Sequence, residues 1–167
     1  MGDLQRTGNG CLCGILAILG AVGFWLALDK RALSAFCSCF VFLVGIGLIL
    51  AGIFSTDPAF GFPKGAPEGY PAHPSLGALI HSLGFYTAFT ALSFACFLFS
   101  RQFHQKKMPG WEAYSLVSGF ATPILIALGM TVFSEIAGIA FAVVGVSSLG
   151  WMSLVARNFQ QATTRRS

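Results

Sequence analysis

The sequence predicts an all-α, polytopic transmembrane helical bundle, and three observations predict it. Hydrophobic residues make up 55% of the 167 positions and charged ones only 10%, with a mean hydropathy of +0.74, a balance outside that of soluble domains. The apolar residues gather into runs of roughly 17 to 25, long enough for a helix to cross the hydrocarbon core. The ten Lys and Arg fall in short connectors between those runs rather than along one face, which marks topology and excludes a nucleic-acid-binding surface.

The first span is 11–28, CLCGILAILGAVGFWLAL, closed by DKR at 29–31. A signal peptide ending near Ala27 is the rival reading, but the run is longer than the usual apolar stretch of such a peptide. The second span is 33–55. After it comes FSTDPAFGFPKGAPEGYPAHP (54–74), where Pro58, Pro63, Pro67, Pro71 and Pro74 exclude helix and fix a Pro/Gly-rich loop over 56–75. The third span is 76–100. RQFHQKKMPGWE (101–112) separates it from the fourth, 113–133, and a turn around Ser134 and Glu135 leads to the fifth, 136–155. The whole chain, 1–167, reads as one bundle domain.

Lys30, Arg31, Arg101, Lys106, Lys107, Arg157, Arg165 and Arg166 fall on one side of this arrangement, and Arg6 and Lys64 on the other. The richer side is cytoplasmic by the positive-inside rule. The 56–75 loop and the N-terminus then face outward, the C-terminus faces the cytoplasm, and the expected location is the cell (cytoplasmic) membrane, multi-pass. Trp25, Trp111 and Trp151 all fall towards the cytoplasmic ends, as interfacial indoles should.

Small residues mark the packing seams, because membrane helices associate where backbones approach closely. In the third span Gly77, His81, Gly84, Ala88, Ala91 and Ala95 recur at spacings of three and four. Ser38, Gly45 and Gly52 repeat the device in the second span, and Gly138, Ala142 and Gly145 in the fifth. Phe and Leu are expected to face lipid. Pro123 is expected to bend the fourth span, with Thr122 or Ser118 bonding freed carbonyls.

The two C-x-C pairs, Cys11/Cys13 and Cys37/Cys39, invite a four-thiolate metal site. The first and second spans run in opposite directions, so the pairs lie roughly 15 to 20 Å apart along the membrane normal at ~1.5 Å per residue. Haem would want a second deep histidine, and His73 and His104 are in connectors. No metal and no cofactor is expected.

His81 is the one ionisable side chain deep within a clearly bounded span, and such a group is a functional candidate by default. Asp57, just past the outer end of the preceding helix, is its expected partner, and Glu135 is a third member of an outward polar site. Three readings stand for the cluster: a clasp pinning the loop to the bundle, a ligand or ion site, and an acid/base pair. The basic stretch 101–107 reads as an inner-leaflet anchor.

GIGLILAGIFSTDPAFGFPKGAP (45–67), SLGALIH (75–81) and GWEAYSLVSG (110–119) together resemble the bacterial membrane proteins grouped as the domain-of-unknown-function family 998. The resemblance runs over nearly the whole chain. It implies a six-helix protein with one more helix ahead of GCLCGILAILG, which this sequence lacks. It singles out Asp57, Pro58, Gly61, Pro63 and His81 as matching the family's loop motif, with no role known for any of them. The functional expectation is a non-enzymatic bundle binding a membrane lipid, a small ligand or a protein partner at its outward mouth. The alternative is a membrane-embedded lipid hydrolase using Asp57 and His81. Oligomerisation is left open.

Overall fold

The computed structural model describes residues 2–28, 32–59, 64–69, 71–131 and 137–164, of which 2–7, 137–141 and 160–164 are described as backbone alone. Among the described residues there are five helices: α1 (Gly2–Ala27), α2 (Ala32–Ile53), α3 (Leu76–Gln105), α4 (Pro109–Thr131) and α5 (Ala137–Thr164). Each packs on the next, and α5 returns to touch α1. Short links join α1 to α2 and α3 to α4 at what we call the basic end; residues 54–75 join α2 to α3 at the loop end. Among the described residues, four helices, α1 to α4, are long and apolar enough to cross a membrane.

Helix boundaries depart from the apolar runs. α1 begins nine residues ahead of position 11, α3 continues from 100 to Gln105, α4 starts at Pro109 rather than 113, and α5 continues past 155 to Thr164. The reason is physical: hydropathy marks where hydrocarbon ends, whereas backbone hydrogen bonding continues into the interface until a cap stops it. The connector 101–112 shows this. Met108 N–H donates to Phe103 O and Lys107 N–H to His104 O, both at 3.0 Å, the paired bonds of a Schellman cap. Lys107 takes the left-handed position with φ 55, normally a glycine's role. Met108 packs against the cluster containing Phe103. Pro109 then opens α4, where its missing N–H leaves nothing unsatisfied.

The two ends of the bundle are held differently. At the loop end, backbones nearly touch. A methyl group on Gly47 would come within 2.5 Å of Gly84 O, one on Gly84 within 2.7 Å of Ala51 N, and one on Gly10 within 2.7 Å of Gly52 Cα. Gly84, Ala88, Ala91 and Ala95 of the α3 seam are buried, while Gly77 is looser, its nearest contact being Ser75 Oγ at 3.7 Å from a built Cβ. Gly45 and Gly52 face α1, where Gly10 and Gly14 meet them. The seam expected in α5 is different: Ala142 is exposed, Gly145 has no neighbour within 4 Å of a built Cβ, and nothing is described for the surroundings of Gly138.

At the basic end the core is aromatic. Phe24, Phe99, Phe103 and Phe159 are buried in one cluster with Trp151, and Phe99 meets Phe24, Trp151 and Phe159 edge-on. This corrects the expectation of lipid-facing phenylalanine for those four alone; Phe36, Phe42, Phe94 and Phe120 do lie on the outer surface, with Leu12, Leu16, Leu19, Leu26 and Leu83. It also corrects one of three tryptophans. Trp25 is exposed, but Trp151 is 1% exposed and donates from Nε1 to the buried Ser115 Oγ at 3.1 Å. Its polar atom finds a partner inside the protein, so it has no need of the interface. Gln102 Nε2 likewise donates to Ser34 Oγ at 2.8 Å, joining α3 to α2 in the core.

In α4, Pro123 sits within an unbroken helix. Thr122 Oγ1 donates to Ser118 O at 2.9 Å, one residue before Gly119, whose carbonyl is the one that Pro123 leaves without its helical donor.

Candidate functional site

The link from α2 to α3 is built on hydrogen bonds that cross in both directions between helix ends. The last turn of α2 closes with Phe54 N–H donating to Leu50 O at 3.1 Å. The next carbonyls have no helical donor, as at any helix C-terminus. His81, in the second turn of α3 and half-buried, supplies one, its Nδ1–H donating to Phe54 O at 2.9 Å. That bond fixes the Nδ1–H tautomer for a neutral ring.

The reciprocal bond runs from α2's extension to the start of α3. Ser75 is the N-cap, and its Oγ accepts from Ala78 N–H at 3.1 Å. Asp57 Oδ1 accepts from that same hydroxyl at 2.6 Å, and Oδ2 accepts from Ser75 N–H at 2.7 Å. The hydrogen bond from the Ser75 hydroxyl, and then that from its backbone N–H, hold the Asp57 carboxyl below the ordinary carboxylate range. A carboxylate also suits the positive end of α3's dipole. Asp57 and His81 are therefore bonded to Ser75 and Phe54 respectively. Glu135, the third predicted member, lies outside the described residues.

Asp57 and Ser75 pin the neck of the intervening loop. Lys64, Gly65, Pro67, Glu68 and Gly69 are exposed, and Gly65 turns the chain with φ +94, a conformation that favours glycine. His73 is exposed as well. At the basic end, His104 Nδ1 lies 3.1 Å from both carboxylate oxygens of Glu112, tying α3 to α4 across their tight turn.

A second feature lies apart from the predicted polar site, although Ala88 and Gly145 of the expected packing seams take part in it. A half-open cavity of about 220 Å³ lies within the bundle, lined by Asn9, Gly10 and Cys13 of α1, Val44 and Leu48 of α2, Ala88, Phe89 and Leu92 of α3, and Gly145, Ser148, Leu149 and Met152 of α5. Residues of α1, α2, α3 and α5 line it together. Ser148 Oγ donates to Val144 O at 2.6 Å, so that hydroxyl is turned onto its own helix. Asn9 is exposed at the rim. Gly10 packs on Gly52 near the end of α2, which sets the rim at the loop end of the bundle. The cavity exists because α5 stands off from the glycine-lined faces that bring α1, α2 and α3 together.

Cys13 lines this cavity, Cys37 is fully buried and Cys39 exposed, so the second C-x-C pair splits across two faces as an i, i+2 offset on a helix requires. Among the described residues, no group of three His, Cys, Asp or Glu side chains is placed to hold a metal ion.

No curated protein and no solved structure matches the chain. The family described as "Protein of unknown function (DUF998)" matches residues 2–158. With nearly its whole length matched, and helices apolar and long enough to cross a membrane, the chain belongs to the DUF998 family as an integral membrane protein of unknown activity.

Proposed function

We propose that this protein is a non-enzymatic, five-span bundle of the cytoplasmic membrane that holds a lipid ligand in its outward half. The N-terminus and the 54–75 loop face outward and the C-terminus faces the cytoplasm. The distribution of Lys and Arg supports this orientation, since cytoplasmic loops carry the excess. α5 is the fifth span: its 28 residues would extend roughly 42 Å at ~1.5 Å per residue, enough to cross the hydrocarbon core.

The observation that carries the ligand reading is the apolar cavity of about 220 Å³ at the loop end. It exceeds the ~150 Å³ of an engineered apolar cavity that stays dry and takes up benzene. The clasp supports the non-enzymatic part. An acid or a base must reach the proton it transfers to or from a bound substrate, whereas Asp57 and His81 each bond a helix terminus. Their chemistry is that of capping.

Native mass spectrometry of the chain released from lipid nanodiscs tests the reading. Retention of about one phospholipid per chain is expected, with no release of free fatty acid over time. Bare protein under conditions that keep the bundle folded would overturn ligand binding. Fatty acid release that disappears in Asp57→Asn would overturn the non-enzymatic assignment.

A further inference from the structure

We infer that the slot between α1 and α5 holds one acyl chain of a bilayer phospholipid, entering sideways from the outward leaflet with its headgroup beside Asn9. The inference rests on the lipid-binding reading above and specifies its site, its occupant and its route of entry.

The dimensions select the occupant. The α5 lining runs from Gly145 to Met152, roughly 10 Å at ~1.5 Å per residue. Spread over that length, the space open to the centre of a water-sized sphere, about 220 Å³, is roughly 5 Å across, so the walls stand roughly 8 Å apart once the sphere's ~1.4 Å radius is added on either side, against the 10 to 12 Å diameter of a helix with side chains. A single polymethylene chain fits that width, given carbon contacts at about 3.5 to 4.0 Å. A neighbouring helix does not fit.

The chemistry agrees with the dimensions. The lining is apolar apart from Asn9 at the rim and Ser148, whose hydroxyl is spent on Val144 O. Water has too few partners there to enter. Hydrocarbon in the adjoining leaflet is the material at hand, and an unfilled slot would forfeit the dispersion contacts of its walls. The rim identifies which part of the lipid lies there. Gly10 is level with Gly52, one residue before the end of α2, so Asn9 stands near the depth where ester and phosphate oxygens meet the hydrocarbon. Its amide can donate to them. A chain entering at that level runs inward towards Val44, Leu92 and Met152.

The glycines of α5 supply a matched pair of variants. A Cβ added at either Gly145 or Gly150 has no neighbour within 4 Å, but of the two Gly145 lines the slot. The full chain is placed in nanodiscs of phosphatidylethanolamine and phosphatidylglycerol containing a phosphatidylethanolamine with a diazirine midway along one acyl chain. After irradiation, adducts are mapped by mass spectrometry. Adducts are expected on peptides containing Cys13, Leu149 or Met152, falling at least about tenfold in Gly145→Leu and unchanged in Gly150→Leu. Melting curves of both variants confirm that they remain folded; should Gly145→Leu unfold, Gly145→Ala with adduct position as the readout takes its place. Retained lipid with adducts elsewhere, or equal labelling in Gly145→Leu, overturns the slot while leaving lipid binding intact. Absence of any retained lipid in the wild-type chain overturns both. A retained mass equal to a free fatty acid overturns the phospholipid assignment.

Discussion

Asp57 and His81 each complete a helix that belongs to the other's neighbourhood. The histidine on α3 satisfies a carbonyl at the end of α2, and the aspartate beyond α2 braces the N-cap of α3. The aspartate gives a pH signature. Its carboxyl is held below its ordinary range by Ser75, so ionised Asp57 favours the folded link. That contribution is fully present above the unfolded value of about 3.9 and is lost as the pH falls through the lower folded value. The first-turn amide of Ala78, bonded to Ser75 Oγ, should lose exchange protection in that acidic window, after correction for intrinsic exchange. Asp57→Asn should show reduced protection with no acid dependence. Wild-type protection in that variant would contradict the capping role.

Both residues stand out in the sequence because ionisable groups are scarce there, but their partners do not. His81 bonds a backbone carbonyl and Asp57 a serine, and every residue of the chain has a carbonyl. Pairing the two charges with each other was the natural expectation from composition. The capping bonds depend on how far α2 winds before its last turn ends, which hydropathy does not encode.

At the scale of elements, glycine decides which helices touch. α2 presents Gly45 and Gly52 to α1 and Gly47 to α3, so one helix carries close approaches on two faces. The i, i+3 and i, i+4 spacing made the α3 seam legible, and Gly45 and Gly52 with it. Gly47 falls outside that spacing and emerges only from the contact with Gly84. At Gly145 the α5 pattern has the same text without the contact, because small residues permit close approach without requiring it. Gly47→Leu should force α2 from α3 and cost about 1 to 3 kcal/mol, the usual range for overpacking. Gly20→Ala, where a methyl meets nothing within 4 Å, should instead be neutral or gain up to about 1 kcal/mol from helix propensity. Unfolding in mild detergent by titration with a denaturing detergent compares the two. Equal effects would remove the close-packed seam from the account.

The whole molecule is joined tightly at both ends by different means, aromatic stacking at the basic end and backbone approach at the loop end. Between α1 and α5 the loop end leaves the slot. Long apolar runs made the helices and their order legible from the sequence alone, since few alternatives satisfy the backbone in lipid. The slot was not legible, because it depends on how far α5 stands from α1, and its lining residues are ordinary for a membrane helix. The functional proposal also depends on which way the bundle stands, because a loop end facing the cytoplasm would open the slot to the other leaflet.

Orientation is therefore the most direct test. Single cysteines at Glu68 in the loop and at Lys107 at the basic end, both exposed, are probed in intact cells with a membrane-impermeant maleimide, the parent chain providing the background from its own cysteines. Glu68→Cys is expected to be labelled from outside, and Lys107→Cys only after the membrane is opened. The reverse pattern, or labelling of both from outside, would contradict it.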